Sequence, residues 1–127
     1  MIIIDLKRGT VVALQGPVST LSPREDALAL VEQEHVGSMT EEYGIVRVPS
    51  GEEFVFMAVD AQGDDPHLYI WKRAVPADPI AAIITDEDED VMLVQDARVA
   101  KWLAPILIHA FDVSGLDVLH YNRIVVG

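Results

Sequence analysis

Apolar residues in this chain come in short β-branched or aromatic runs, four to nine residues long, cut apart by glycine, proline and aspartate clusters. That punctuation restricts the chain to a fold built mostly of strands. The run Met1 to Asp5, the turn signal Lys7-Arg8-Gly9-Thr10 and Val11 to Leu14 predict an N-terminal hairpin. Three adjacent isoleucines in its first strand favour burial on both faces. Tyr43 to Val48, Phe54 to Val59 and His67 to Val75 are joined by Pro49-Ser50-Gly51-Glu52 and by Gly63-Asp64-Asp65-Pro66, which predicts a three-stranded meander. Ile80 to Thr85 and Val91 to Gln95 suit two more strands around an acidic turn, although a run as short as Ile80 to Ile84 is also compatible with a helix. Val118 to Val126 reads as a final strand.

Two segments carry helical signals instead. Ser22-Pro23-Arg24-Glu25 has a capping serine, proline at the first helical position and a glutamate that can bond back to the cap. With Ala27, Leu28, Val31 and His35 on one stripe and Gly37 at the end, a helix over 23–36 is expected. Asp96 is the expected cap of a second helix over 97–110, its stripe being Val99, Trp102, Leu103, Ile106, Leu107, Ala110 and Phe111. Pro105 lies inside it, which predicts a kink there or an end near Ala104. Trp102 is expected in the core on this stripe, with Trp71 the less committed of the two tryptophans. The fold class that results is α+β: a mainly antiparallel sheet of about five to seven strands with both helices packed on one face. No linker or internal repeat divides the chain, so 1–127 is expected to form a single compact domain.

Composition excludes several functions. The chain has no cysteine, which removes disulfides, thiolate metal sites and cysteine nucleophiles and suits a cytoplasmic setting. No apolar run is long enough to span a bilayer, and no secretory leader is evident. Nine basic against 21 acidic side chains disfavour nucleic acid as a partner. Glycine-rich phosphate loops, the nucleophile elbow and the two-histidine zinc helix motif are all absent. Asp86, Asp88 and Asp90 match the first positions of a calcium loop, but Val91 replaces the required glycine and Ala97 the closing glutamate. No metal and no cofactor are therefore expected.

The acid is unevenly spread. Residues 22–53 and 76–97 carry −6 and −7, so the remaining segments together net +1 against a total of −12. This layout points to a non-catalytic, acidic protein-binding domain of the inhibitor, immunity or antitoxin-like, or adaptor kind that docks a basic partner. The residues expected to meet it are Asp86, Glu87, Asp88, Glu89, Asp90, Glu41 and Glu42. Tyr69 and Trp71 join them as an aromatic patch if the strand register sets them on the same face as Phe54 and Phe56, these residue types being common at interface hot spots; core packing under a helix is the default. Two alternatives stand beside this reading. One is a small enzyme or ligand-sensing domain using His109, Asp112 and His120, or Asp60, Asp64, Asp65 and His67 in the 60–67 loop. The other is a structural subunit of a larger assembly, a homo-oligomer included, which the apolar excess would favour.

Overall fold

A computed structural model describes residues 2–13, 39–75 and 78–127. Among these residues, eight strands form one sheet: β1 (Ile2–Asp5), β2 (Thr10–Ala13), β3 (Met39–Arg47), β4 (Glu53–Val59), β5 (Leu68–Lys72), β6 (Ala81–Asp86), β7 (Glu89–Val94) and β8 (Arg123–Val126). Their order across the sheet is β2-β1-β3-β4-β5-β6-β7-β8. One helix, α1 (Ala97–Ser114), and a 3-10 turn at Asp117–Leu119 link β7 to β8. The α+β class is as expected, and the sheet is larger and more mixed than expected. β1 pairs with β3, and β7 with β8, in parallel. The physical reason at the second site is the helix: a chain that leaves β7 and returns alongside it through α1 arrives pointing the same way. The expected helix over 23–36, with its Ser22 cap, lies outside the described residues.

α1 begins where the sequence placed its cap, with the Asp96 carboxylate accepting from the backbone of Arg98 and Val99 at 2.8 and 3.0 Å. It does not end near Ala104. The helix continues through Pro105 to Ser114 and closes on Gly115, whose φ of 65° suits the left-handed cap. Pro105 and Lys101 are both exposed, so the carbonyl that loses its proline partner is on the water side. Val99, Leu103, Leu107 and Ala110 are the buried positions, while Trp102, Ile106 and Phe111 flank them half-buried. The helix touches β1 and β2 near one edge of the sheet and β7 and β8 at the other. A sheet that reaches one helix from both edges must curl around it, the result expected of twisted strands.

Both faces of the central strands are apolar. Ile4, Val46, Phe54, Phe56, Leu68, Ile70, Ile83 and Met92 share a core with α1. Their neighbours in sequence, Ile45 and Val55, and Met57, Val59, Tyr69 and Trp71, form buried clusters apart from it. Register decides the aromatics: Phe54 stands opposite Lys72 and Phe56 opposite Ile70, whereas Tyr69 and Trp71 stand opposite Met57 and Val55. Alternation therefore puts the two aromatic pairs on opposite faces. Of the two tryptophans it is Trp71, the less committed one, that is fully buried, and Trp102 only packs against the core. Trp71 is 1% exposed, while Trp102 is half-buried, tilted against Phe54 at 5.3 Å with the Lys72 ammonium 5.1 Å from its ring.

Candidate functional site

Following the registers across the sheet gives the molecule two ends. The strand termini at Asp5, Arg47, Glu53, Lys72 and Val94 lie at one end, with the start of α1; the β6–β7 turn, the 60–67 loop and the end of α1 lie at the other. Among the described residues, Asp60, Asp64, Asp65, the run Asp86 to Asp90, Asp112 and Asp117 stand at the second end, opposed by Arg123, a net charge of −9. At the first end, again among the described residues, Lys7, Arg8, Arg47, Lys72, Arg73, Arg98 and Lys101 face Asp5, Glu52, Glu53, Asp78 and Asp96, a net +2. The acid-rich end is the candidate site.

Its centre is the β6–β7 hairpin. Pairing runs to Asp86 opposite Glu89, leaving Glu87 and Asp88 as a two-residue turn. Both have positive φ, 49° and 66°, the geometry of the tight hairpin turn that matches strand twist and is normally filled by Asn and Gly. The five acids of the run are thus divided in role. Arg123 on β8 reaches Asp86 at 2.8 Å and Glu89 at 3.3 Å, one guanidinium tying both strands of the hairpin. All three side chains are about half exposed, so the pair is well screened by water. Glu87 and Asp88 are exposed at the tip with no ion pair among the described residues.

Asp90 has a different setting. Its carboxylate accepts from the Thr85 hydroxyl at 3.3 Å and has His67 Nε2 at 3.9 Å and His120 Nδ1 at 3.6 Å. Its backbone exchanges bonds with Asn122, donating to Oδ1 at 2.8 Å and accepting from the Asn122 amide at 2.6 Å. Asp90 thereby pins the segment entering β8 to the sheet. The His120 ring tilts over Phe111 at 5.2 Å. This grouping of His67, Asp90 and His120 joins three segments far apart in sequence, and no motif announces it.

Other expected site residues fall elsewhere. His109 and Asp112 are exposed on α1, and His120 turns to Asp90 instead of joining them, so the expected trio is not assembled. His67 likewise pairs with Asp90 and not with Asp64 or Asp65 of its own loop. Tyr69 and Trp71 are 7% and 1% exposed and stacked at 5.7 Å, which withdraws them from any surface: the register points them into a buried face. Glu41 and Glu42 belong to β3, with their side chains outside the described residues. Among the described residues no group of three His, Asp or Glu side chains converges to hold a metal ion. No helix among them is long and apolar enough to cross a membrane.

A shallow cleft of about 330 Å³ lies at the opposite end, lined by Gly51, Glu52, Glu53, Lys72, Arg73 and Ala74. Its charges are spoken for. Glu53 accepts from Arg73 at 2.9 Å and Arg47 at 3.3 Å, Arg47 also reaches the buried Asp5 at 3.5 Å, and Lys72 pairs with Glu52 at 3.6 Å. Such a cleft offers a ligand no free charged group, which removes the main requirement for a polar binding pocket.

Burial raises the pKa of the Tyr121 phenol, whose hydroxyl donates to the Ala104 carbonyl at 3.0 Å. A folded-state value above the unfolded one means the stabilisation is complete below about pH 10 and is lost as pH rises through the raised value. Tyr121→Phe should cost about 1 kcal/mol at neutral pH and blunt the fall in stability under alkaline conditions. Thermal melts at neutral and alkaline pH measure both; an alkaline limb identical to that of the wild type would count against this role. Comparisons with protein-family models, curated proteins and solved structures gave no match.

Proposed function

We propose that this chain is a non-catalytic binding domain that docks a basic protein partner on its acid-rich end, as inhibitors, immunity or antitoxin-like proteins and adaptors do. The observation that carries the reading is the segregation of charge along the strand axis, −9 at one end against +2 at the other among the described residues. Charge kept merely for solubility would be spread over the surface, whereas a one-signed end raises the encounter rate with a partner of opposite sign. The Glu87–Asp88 tip favours the same reading: acids occupy positions where Asn and Gly would fold at lower cost. A reducing cytoplasm is the proposed setting for a chain without cysteine.

The test uses acids that have no ion pair among the described residues, so that the fold is not disturbed. Asp64, Asp65, Glu87 and Asp88 are replaced by Asn or Gln, sparing Asp86, Glu89 and Asp90. Once the protein that co-purifies with the chain from its native host is identified, its association rate is measured with each form at rising salt. The variant should bind on the order of 10-fold more slowly at low salt, and the two forms should converge once the screening length falls below about 8 Å. Equal rates with no salt dependence would refute the proposal.

A further inference from the structure

We propose that β8 is a self-association edge, on which a second copy of this chain adds its own β8 antiparallel to make a continuous two-fold sheet. β8 is the last strand in the order, hydrogen-bonded to β7 on one side, with no strand on the other among the described residues. It is made of Arg123, Ile124, Val125 and Val126, and the two valines are 38% and 49% exposed. A bare edge is a template for another strand, and proteins that avoid pairing guard it with proline, a bulge or an outward charge. β8 has no proline, its register with β7 runs unbroken from Val91–Arg123 to Val94–Val126, and its one charge is turned back onto Asp86 and Glu89.

Two arguments select a second copy in the antiparallel sense. An edge pair closed by a two-fold axis is antiparallel by symmetry, and it stops at two copies. The charge layout asks for the same arrangement, because the charge runs along the strand axis. Inverting one copy sets the two acidic β6–β7 hairpins at opposite ends of the seam, whereas a parallel arrangement would bring them side by side. The net −12 on each copy still opposes the encounter, and a four-residue edge is short, so the pair is weak and is strengthened by salt. That sign is the reverse of the one expected for a basic partner at the acid-rich end, which keeps the two proposals separable.

Sedimentation equilibrium of the full chain from about 10 µM to about 1 mM, at low and high salt, is the test. A monomer–dimer equilibrium that tightens with salt is expected. V125K/V126K should weaken it at least about 10-fold, and V11K, an exposed valine on the opposite edge strand, should leave it unchanged. Because the chain has no cysteine, a single V125C provides a second reading that does not depend on the lysine variant folding. With the two-fold axis at Val125, which sets this residue opposite its own copy on one face, oxidation should form a disulfide-linked dimer where V11C does not. A chain that stays monomeric at high salt throughout this range, a dimer indifferent to V125K/V126K, or cross-linking as efficient through V11C as through V125C would each overturn the proposal.

Discussion

Replacing Gly44 by alanine should lower stability by on the order of 3 kcal/mol, the effect of forcing a methyl into a closed strand contact. A Cβ built at Gly44 runs into the carbonyl oxygen of Ile2 and comes within 2.6 Å of the Phe56 ring. Neither neighbour can yield cheaply. The Ile2 carbonyl belongs to the strand paired in parallel with β3, and Phe56 is 2% exposed in the core beneath α1. The sign makes this a sharp test, since alanine in place of a mid-strand glycine ordinarily gains stability by restricting the unfolded chain. Urea denaturation of the two forms decides it. A midpoint within about 0.5 kcal/mol of the wild type would mean that β1 and β3 are not packed as described.

The second large effect concerns the tryptophans. Trp71→Ala should cost about 3–5 kcal/mol and Trp102→Ala distinctly less, because only the first empties a closed site. Trp71→Phe offers a finer comparison. The Trp71 indole N–H is buried with no hydrogen-bond partner among the described residues, so phenylalanine removes an unsatisfied donor along with part of the packing. Its cost should fall well below that of Trp71→Ala. A Trp102→Ala loss equal to or larger than that of Trp71→Ala would put the deep site on the helix instead.

The same two residues explain how far the sequence could be read. Trp102 belongs to a helical stripe, and periodicity alone ranked it as core; Trp71 alternates in a strand whose two faces could not be told apart without the register. The strands themselves were legible from β-branched runs and turn clusters, and the Asp96 cap from its side-chain chemistry. The parallel pairings were not, because they depend on where a chain returns after a long connection and no local residue encodes that. The site divides in the same way. The acid-rich run was visible as composition, but its partition into residues held by Arg123, one held by Thr85 and the histidines, and two left at the tip required the hairpin turn to be fixed at Glu87–Asp88. His67, Asp90 and His120 come together only after three segments are aligned, so the trio sought around His109 followed spacing along a helix that the fold does not use.

The parallel return of β8 has a consequence in chain entropy. Strands β3 to β7 are linked by connections no longer than 60–67 or 73–80, whereas β8 is reached only after residues 95–122. Closing that longer span costs about 1 kcal/mol more than closing a meander loop, as loop-closure entropy grows with the logarithm of length. Four residues of ladder repay little of it, so the return is secured chiefly by what lies between: Leu119 sunk in the core, Tyr121 bonded to α1, Asn122 joined to Asp90. β8 is therefore held in place more by the anchors ahead of it than by its own pairing.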